Sequence, residues 1–335
     1  MRNIQISNIT VLGDGGWGTT LAILLAKKGK SVTLWGAFED NILNIAKHRV
    51  NRKFLPGIKF PKSIRLTSDI KLALNRADLI ILAAPSQFLR AVLKKVQACG
   101  YQKLAVFLSV VKGIETETLM RMSEVIRDEL GAVKLAVLSG PTIAHEVARG
   151  IPTTAVISSK DPSLAVSLQH LFMTDRFRIY TNSDMIGIEI GGSLKNIIAI
   201  ACGISDGLGF GTNTKAAILS RGLVEISRLG IAMGAKKDTF SGLTGLGDLV
   251  TTCVSPYSRN RFVGEQIGKK KTLKEILSKM DMIAEGVTTV KSAYKLTKKY
   301  NISMPITEQV YDVLYKNKNP LKAVHSLMAR EKKNE

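Results

Sequence analysis

The spacing of apolar and polar residues changes near Asp184. Before that point, short β-rich runs alternate with helical stretches, a pattern typical of a doubly wound, mostly parallel sheet. In the predicted strand Asp78–Ala84, every residue after Asp78 is apolar, as expected for a strand covered on both faces. The other predicted strands are Ile9–Gly13, Ser31–Trp35, Leu104–Ser109, Lys134–Leu138, Thr153–Ser158 and Phe177–Tyr180, and the predicted helices include Gly18–Lys28, Glu117–Leu130 and Pro162–Phe172.

After Asp184 the strand patterns stop and helical periodicity takes over, interrupted by glycine-rich joints such as GISDGLGFG and SGLTGLGDL. We therefore predict an α/β protein with two domains, a dinucleotide-binding domain over residues 1–184 and an all-helical domain over residues 185–335. The predicted helices of the second domain are Ile188–Cys202, Thr214–Met233, Arg261–Gly268, Leu273–Met280, Thr288–Tyr300, Thr307–Lys316 and Pro320–Arg330.

The composition limits the partners of this 335-residue chain. Its 48 Lys and Arg against 27 Asp and Glu leave a net charge of +21, spread along the sequence. That charge suits a nucleic acid, an anionic membrane or phosphorylated small molecules, and it equally suits a general preference for lysine in the source proteome. The aromatic content is only 6%, with no stacking platform for nucleic acid evident, so we predict no such partner.

The cysteines, histidines and N-terminus point to a protein without metal or membrane anchor. Three cysteines and four histidines are scattered, without the spacing of a disulfide framework or a zinc site. The N-terminal sequence lacks the apolar stretch of a signal peptide, and the apolar runs are shorter than the roughly 18 residues that a membrane span needs. We expect a soluble, reduced, cytoplasmic protein.

A nucleotide-binding motif follows the first predicted strand. Gly13, Gly15 and Gly18 form G-x-G-x-x-G, with a strand before them and a helix after them. The first glycine permits a tight turn, the second permits backbone to approach a pyrophosphate, and the third lets helix and strand pack closely. The pyrophosphate would lie on the N–H groups at the start of the helix. This Rossmann-like context predicts a dinucleotide site.

The end of the second strand informs the choice between NAD and NADP. An NAD site usually has an acid there, about 20 residues after the glycine motif, to bind the ribose 2′-hydroxyl. Here the sequence continues Trp35-Gly36-Ala37-Phe38, and the first acids follow at Glu39 and Asp40. Arg49, Arg52 and Lys53 come from the next segment. We expect NADP, with NAD as the alternative.

Candidate chemistry lies at the carboxyl ends of strands, where ligands bind in open α/β sheets. Lys112 follows one strand, and Gly140 and Thr142 follow another. In the helical part, GGSLKN carries Lys195 and leads into the apolar run Ile197–Cys202. A partly buried ammonium loses solvation and can exchange protons near neutral pH, whereas a lysine at a helix end simply extends to solvent. Pattern alone supports both interpretations.

A phosphate site is the further candidate. The segment Ser258-Arg259-Asn260-Arg261 begins a predicted helix. Its two arginine guanidinium groups can donate paired hydrogen bonds to a phosphate, and the helix N-terminus also favours an anion. It follows Gly245-Leu246-Gly247-Asp248 and the Thr251–Thr252 pair.

With these segments in order, the chain resembles the NAD(P)-dependent glycerol-3-phosphate dehydrogenases of bacteria. The resemblance runs nearly the full length through GDGGWG, VKG, SGPT, GGSLKN, GLGDL, SRNR, AEG and MPIT. It implies reversible reduction of dihydroxyacetone phosphate to sn-glycerol 3-phosphate with NADPH or NADH and no metal, supplying phospholipid synthesis, in a homodimer.

The resemblance also implies residue roles. It makes Lys195 the general acid and base, with Asp248 and Thr252 orienting it. At three positions the sequence departs from the pattern of that family: it has Gly16 where Ser is common, Ala37 in place of His or Arg, and His145 where Lys is expected. The implied substrate contacts are Lys112, Gly140, Thr142, Lys195, Asn196, Asp248, Ser258, Arg259 and Asn260, and the implied cofactor contacts are Gly13, Gly15, Gly16, Trp17, Gly18, Ala37, Lys112, Ala144, Arg259, Ile283 and Glu285.

Two alternatives stay open at this stage. A related β-hydroxyacid or ketopantoate-type reductase would use the SRNR segment to bind a carboxylate, and it would prefer unphosphorylated ketoacids. A non-enzymatic basic binding protein would show salt-sensitive binding to nucleic acid and would not need Lys195.

Overall fold

The computed structural model describes residues 6–332, so residues 1–5, where the sequence analysis expected no signal peptide, and residues 333–335 lie outside it. The chain forms two compact units. The first comprises the residues up to Lys112 together with Met120–Glu189, and the second comprises Gly113–Leu119 together with the chain from Ile190 onward. The division into domains at residues 184 and 185 stays a prediction.

The first unit is built on an eight-stranded sheet of order β3-β2-β1-β4-β5-β6-β7-β8. Every neighbouring pair is parallel except β6 and β7, which confirms the predicted doubly wound, mostly parallel sheet. The strands are β1 (Asn8–Leu12), β2 (Ser31–Trp35), β3 (Arg65–Thr67), β4 (Leu79–Leu82), β5 (Val106–Ser109), β6 (Lys134–Ser139), β7 (Thr153–Ser159) and β8 (Phe177–Asn182).

Helices cover both faces of this sheet, and alternate strand residues therefore enter different cores. In β4, Leu79 and Ile81 join one buried cluster, whereas Ile80 and Leu82 join the other. This burial on both faces explains the uninterrupted apolar run that predicted the strand. The helices are α1 (Gly16–Lys27), α2 (Glu39–His48), α3 (Ile70–Leu74), α4 (Leu89–Cys99), α5 (Met122–Leu130), α6 (Ala144–Ala148) and α7 (Pro162–Phe172), with a 3₁₀ turn at Ser86–Phe88.

The helix predicted at Glu117–Leu130 begins five residues later than expected. Leu119 has a left-handed backbone with φ of 61°, which interrupts the helical path. Arg121 is extended and acts as the N-cap, and its backbone N–H donates to the Glu124 carboxylate at 2.8 Å. The cap therefore sets the start at Met122.

Within residues 6–332, the secondary-structure elements of the second unit are helices and single helical turns joined by loops. Glycines bring two of its helices into backbone contact: a Cβ on Gly264 would lie 2.0 Å from the Ile200 carbonyl oxygen, and one on Gly203 would lie 2.0 Å from that of Arg261. The helices are α8 (Met185–Gly207), α9 (Thr212–Ala232), α10 (Asp248–Val254), α11 (Arg259–Gly268), α12 (Leu273–Leu277), α13 (Glu285–Lys299), α14 (Pro305–Tyr315) and α15 (Pro320–Met328), with a 3₁₀ turn at Lys237–Ser241 and a π turn at Leu243–Gly247.

Helix α8 extends beyond the predicted Ile188–Cys202 at both ends, and Lys195 lies inside it, as that prediction implies. Gly191 also lies within the helix, where a Cβ would be 2.4 Å from the Thr244 carbonyl oxygen, so a larger residue would clash there. Among residues 6–332, α8 is the one helix with the length and hydropathy of a membrane span, yet 89% of its most apolar window is buried within the protein.

Candidate active site

The glycine turn between β1 and α1 has the geometry that the motif predicts. Gly13 has φ of 130°, and a Cβ there would lie 2.6 Å from the backbone of Ala83. A Cβ on Gly18 would lie 2.0 Å from the Gly13 carbonyl oxygen, whereas a Cβ on Gly15 would meet no atom within 4 Å. Open space beside Gly15 and the start of α1 therefore suits a pyrophosphate.

The first turn of α1 keeps its backbone donors available to an anion. Its N-cap is Gly15, and in the part of the chain that the structure describes no side chain caps this helix. Helix N-termini without a side-chain cap retain N–H groups that bind phosphate through hydrogen bonds and the helix dipole. The residues present thus fit a dinucleotide.

Two of the predicted cofactor residues around this turn, Gly16 and Ala144, lie close to one another. A Cβ on Gly16 would lie 2.7 Å from the Phe54 carbonyl oxygen and 3.7 Å from the Ala144 side chain, so a serine would clash here. This explains the departure at Gly16. Trp17 packs against the core of the sheet, and its indole nitrogen is buried without a partner among the described residues. Ala37 is exposed just beyond the end of β2.

Three predicted substrate residues of the first unit are joined by hydrogen bonds. Lys112 follows β5, and Gly140 and Thr142 follow the neighbouring strand β6. The Lys112 ammonium donates to the Gly140 carbonyl oxygen at 2.8 Å and to the Thr142 hydroxyl at 3.3 Å. These contacts hold a cation at the carboxyl ends of adjacent parallel strands.

The second unit contains a buried ion pair between Lys195 of α8 and Asp248 of α10. The Lys195 ammonium also donates to the Thr252 hydroxyl at 2.6 Å, and that hydroxyl donates to the Asp248 carbonyl oxygen at 2.7 Å. Lys195 is 6% exposed and Asp248 is 1% exposed. Asp248 and Thr252 are one helical turn apart, so α10 presents both to the same ammonium. The lysine is buried, which decides against a side chain extended to solvent.

Predicted phosphate ligands gather at the start of α11. Ser258 caps the helix by accepting from the Arg261 N–H at 3.2 Å. The Asn260 side chain donates to the Asn196 side-chain oxygen at 2.9 Å and accepts from the Gly286 N–H at 2.9 Å. Asn260 therefore connects α11 to α8 and α13.

The remaining predicted site residues are Arg259, Ile283 and Glu285. Crowding by neighbouring protein atoms partly desolvates the Arg259 guanidinium and lowers its pKa, and the Glu285 carboxylate opposes this shift. The side chain still reaches solvent, so it can meet an anion. Ile283 is 40% exposed and precedes α13, whose first residue is Glu285.

The sequence analysis missed several buried carboxylates, among them Glu189 and Glu225. Glu189 accepts from the Ser123 N–H at 2.7 Å, and its negative charge is balanced by Arg121. Glu225 accepts from the N–H groups of Ile306 and Thr307 at the start of α14. Burial raises the pKa of Glu225 to about 7 in spite of these donors. Glu189 interrupts an otherwise apolar helical stretch, which is the signal that could have found it.

No group of three or more His, Cys, Asp or Glu side chains within residues 6–332 is arranged to hold a metal ion. The glycine turn on a parallel sheet and the buried lysine–aspartate pair in a helical unit are the features of a nicotinamide-dependent oxidoreductase.

Comparison with known proteins specifies the family. Residues 8–165 match the family model of the NAD-dependent glycerol-3-phosphate dehydrogenase N-terminus, and residues 184–325 match that of the C-terminus. The chain therefore belongs to the NAD-dependent glycerol-3-phosphate dehydrogenase family.

Individual relatives cover almost the whole chain. A glycerol-3-phosphate dehydrogenase [NAD(P)+] of Fusobacterium nucleatum is 47% identical over 97% of this chain and 97% of its own length. That of Geobacillus kaustophilus is 49% identical over 98% and 96%. The crystal structure of glycerol-3-phosphate dehydrogenase from Coxiella burnetii superposes with a TM-score of 0.94 at 38% identity, covering 97% of this chain and 99% of that one.

Proposed function

We propose that this protein catalyses the reversible, NAD(P)H-dependent reduction of dihydroxyacetone phosphate to sn-glycerol 3-phosphate. The observation that supports this best is the buried Lys195, paired with Asp248 and Thr252, in a chain of the glycerol-3-phosphate dehydrogenase family. When bound, the nicotinamide supplies the hydride that reduces the C2 ketone.

Lys195 acts at the oxygen of that ketone. Negative charge develops on this oxygen during reduction, and a buried ammonium stabilises it and then donates a proton. The Asp248 carboxylate pairs with the ammonium and fixes its direction. The Thr252 hydroxyl donates to the Asp248 carbonyl oxygen, so it meets the ammonium as an acceptor. In the reverse direction, the neutral amine accepts the proton of the alcohol.

The substrate phosphate is held by the start of α11. Arg259 supplies a forked cation, and the N-terminus of this ten-residue helix adds its dipole. Fixing the phosphate places C2 for reaction. The other proposed substrate contacts are Lys112, Gly140, Thr142, Asn196, Ser258 and Asn260, and the proposed cofactor contacts are Gly13, Gly15, Gly16, Trp17, Gly18, Ala37, Lys112, Ala144, Arg259, Ile283 and Glu285.

The cellular setting follows from the same proposal. The product is the glycerol phosphate backbone that phospholipid synthesis consumes, and we place the enzyme in the cytoplasm as a homodimer without a nucleic-acid partner. The net charge of +21 favours the approach of an anionic cofactor and an anionic substrate.

The decisive experiment compares initial rates with dihydroxyacetone phosphate and with unphosphorylated 2-ketoacids, using NADH and NADPH in parallel. Dihydroxyacetone phosphate should be turned over faster by at least two orders of magnitude in kcat/KM, because the phosphate contacts are lost with the ketoacids. Faster turnover of a ketoacid would instead favour the β-hydroxyacid or ketopantoate-type reductase.

A further inference from the structure

An acidic side chain lies inside the glycine turn. Asp14 follows Gly13, and its side chain extends toward the end of β2 rather than into solvent, leaving the residue 8% exposed. There it meets Gly36, the first residue after the strand: a Cβ on Gly36 would lie 2.6 Å from Oδ2 of Asp14. The carboxylate therefore occupies the space into which any side chain at position 36 would project.

In dinucleotide-binding folds, the end of the second strand is where the adenosine ribose is recognised. The acid that binds the adenosine ribose hydroxyls ordinarily lies at the end of the second strand, which in this protein is Trp35 followed by Gly36. The sequence has no acid there, since Trp35 is followed by Gly36, Ala37 and Phe38. Asp14 brings a carboxylate to the same place from the first turn.

The carboxylate is held in a defined position. The Asn41 side chain donates to Oδ2 of Asp14 at 2.6 Å. Asn51, which is fully buried, donates to the Asp14 carbonyl oxygen at 2.7 Å and to the Thr19 hydroxyl at 2.9 Å. Residues of α1, of α2 and of the segment after α2 thus fix both the backbone and the side chain of Asp14.

The surrounding charges bear on which nucleotide fits. Burial raises the pKa of Asp14, while the hydrogen bond from Asn41 and the charge of Lys53 lower it. Lys53 also lies over the Phe54 ring, 5.4 Å from its centroid. Arg49, one of the cations that the sequence offered for a 2′-phosphate, instead donates to the carbonyl oxygens of Pro61 and Ile64.

We propose that Asp14 recognises the 2′-hydroxyl of the adenosine ribose and makes this enzyme prefer NAD(H) to NADP(H). A carboxylate accepts hydrogen bonds from a ribose diol but repels a 2′-phosphate. This proposal rests on the proposed function and reverses the preference for NADP that the missing acid after β2 suggested. The specificity residue comes from the glycine turn, not from the second strand.

The test measures binding without catalysis. The full chain is titrated calorimetrically with ADP-ribose and with 2′-phospho-ADP-ribose, which differ only in the 2′ group. The wild-type protein should bind ADP-ribose at least about tenfold more tightly, as expected for one charge-assisted hydrogen bond gained and one repulsion avoided. Asp14→Asn keeps the shape and removes the charge, and it should reduce this ratio to threefold or less.

Asp40→Asn is the matched control, because it removes a nearby carboxylate that is exposed. It should leave the ratio unchanged. If Asp14→Asn does not fold, Asn41→Ala provides the second measurement, since it releases the carboxylate from its side-chain donor and should also narrow the ratio.

Equal affinities in the wild type, or an unchanged ratio in the folded Asp14 variant, would overturn the proposal. Its outcome is separate from that of the proposed function. A chain that discriminates between the two ligands through Asp14 but does not reduce dihydroxyacetone phosphate would retain this inference and lose the activity.

Discussion

The ion pair between Lys195 and Asp248 allows catalytic and structural roles to be separated. Lys195→Met removes the ammonium and leaves the Asp248 carboxylate, 1% exposed, without its counter-charge. Breaking one side of a buried pair costs about 3–5 kcal/mol, whereas replacing both partners by apolar residues is often close to neutral. We therefore expect Lys195→Met to be strongly destabilised and Lys195→Met/Asp248→Leu to regain most of that loss.

Activity, unlike stability, should not recover in the double variant. Both variants lack the group that stabilises the developing oxyanion, so kcat should fall on the order of 10³-fold or more in each. The Thr252 hydroxyl cannot compensate, because it already donates to the Asp248 carbonyl oxygen. Recovery of stability without recovery of rate would identify the lysine as a group that acts in the transition state.

The assay combines urea unfolding, followed by far-ultraviolet circular dichroism, with initial rates on dihydroxyacetone phosphate. Lys298→Met is the control, since that side chain is 62% exposed and its ion pair with Glu308 should contribute no more than about 1 kcal/mol. Retention of wild-type turnover within about tenfold by Lys195→Met would refute the catalytic assignment. A double variant no more stable than the single one would refute the argument from an unpaired buried charge.

Four further predictions concern other parts of the molecule. Arg259→Ala should raise the KM for dihydroxyacetone phosphate at least about tenfold in steady-state assays, through loss of a charged phosphate contact; an unchanged KM would remove Arg259 from that role. The Glu225 pKa is raised from 4.5 to about 7, so its contribution to stability is complete below 4.5 and is lost as pH rises through 7, a difference of about 3 kcal/mol. The melting temperature of Glu225→Gln should therefore fall less than that of the wild type between pH 5 and 8. An equal fall in both proteins would contradict this prediction. Gly18→Ala places a Cβ 2.0 Å from the Gly13 carbonyl oxygen and should destabilise the fold by about 1–3 kcal/mol. Gly15→Ala meets no protein atom and should fold normally while weakening ADP-ribose binding; equal binding would argue against a pyrophosphate there.

Local patterns were sufficient for much of the first unit. The predicted strand Ser31–Trp35 and the predicted helix Pro162–Phe172 match the observed elements, since both are bounded by residues that begin or end structure locally. In α7, Asp161 caps the helix and Pro162 stands at its first position. The predicted helix Arg261–Gly268 ends where α11 ends but begins two residues too late, because Ser258 is the N-cap and the helix starts at Arg259. Periodicity and capping depend on neighbours within a few residues, so the sequence carries them directly.

Errors arose where distant backbone decides a local conformation. The predicted helix Ile188–Cys202 is extended at both ends in α8, and the Thr244 carbonyl oxygen packs against Gly191 within it. The predicted helix from Glu117 failed because Leu119 is left-handed and Gly113–Leu119 belongs to the second unit. A local pattern cannot report the approach of another segment.

The sequence by itself therefore determined the alternation of strands and helices, the glycine turn and the candidate residues, because each depends on short-range spacing. Only the tertiary structure decided which charges meet. Lys195 and Asp248 are 53 positions apart, and Asp14 reaches Gly36 only because β1 and β2 lie side by side. Burial then gives these carboxylates their chemical character, since the cost of removing charge from water depends on the surroundings that folding assembles.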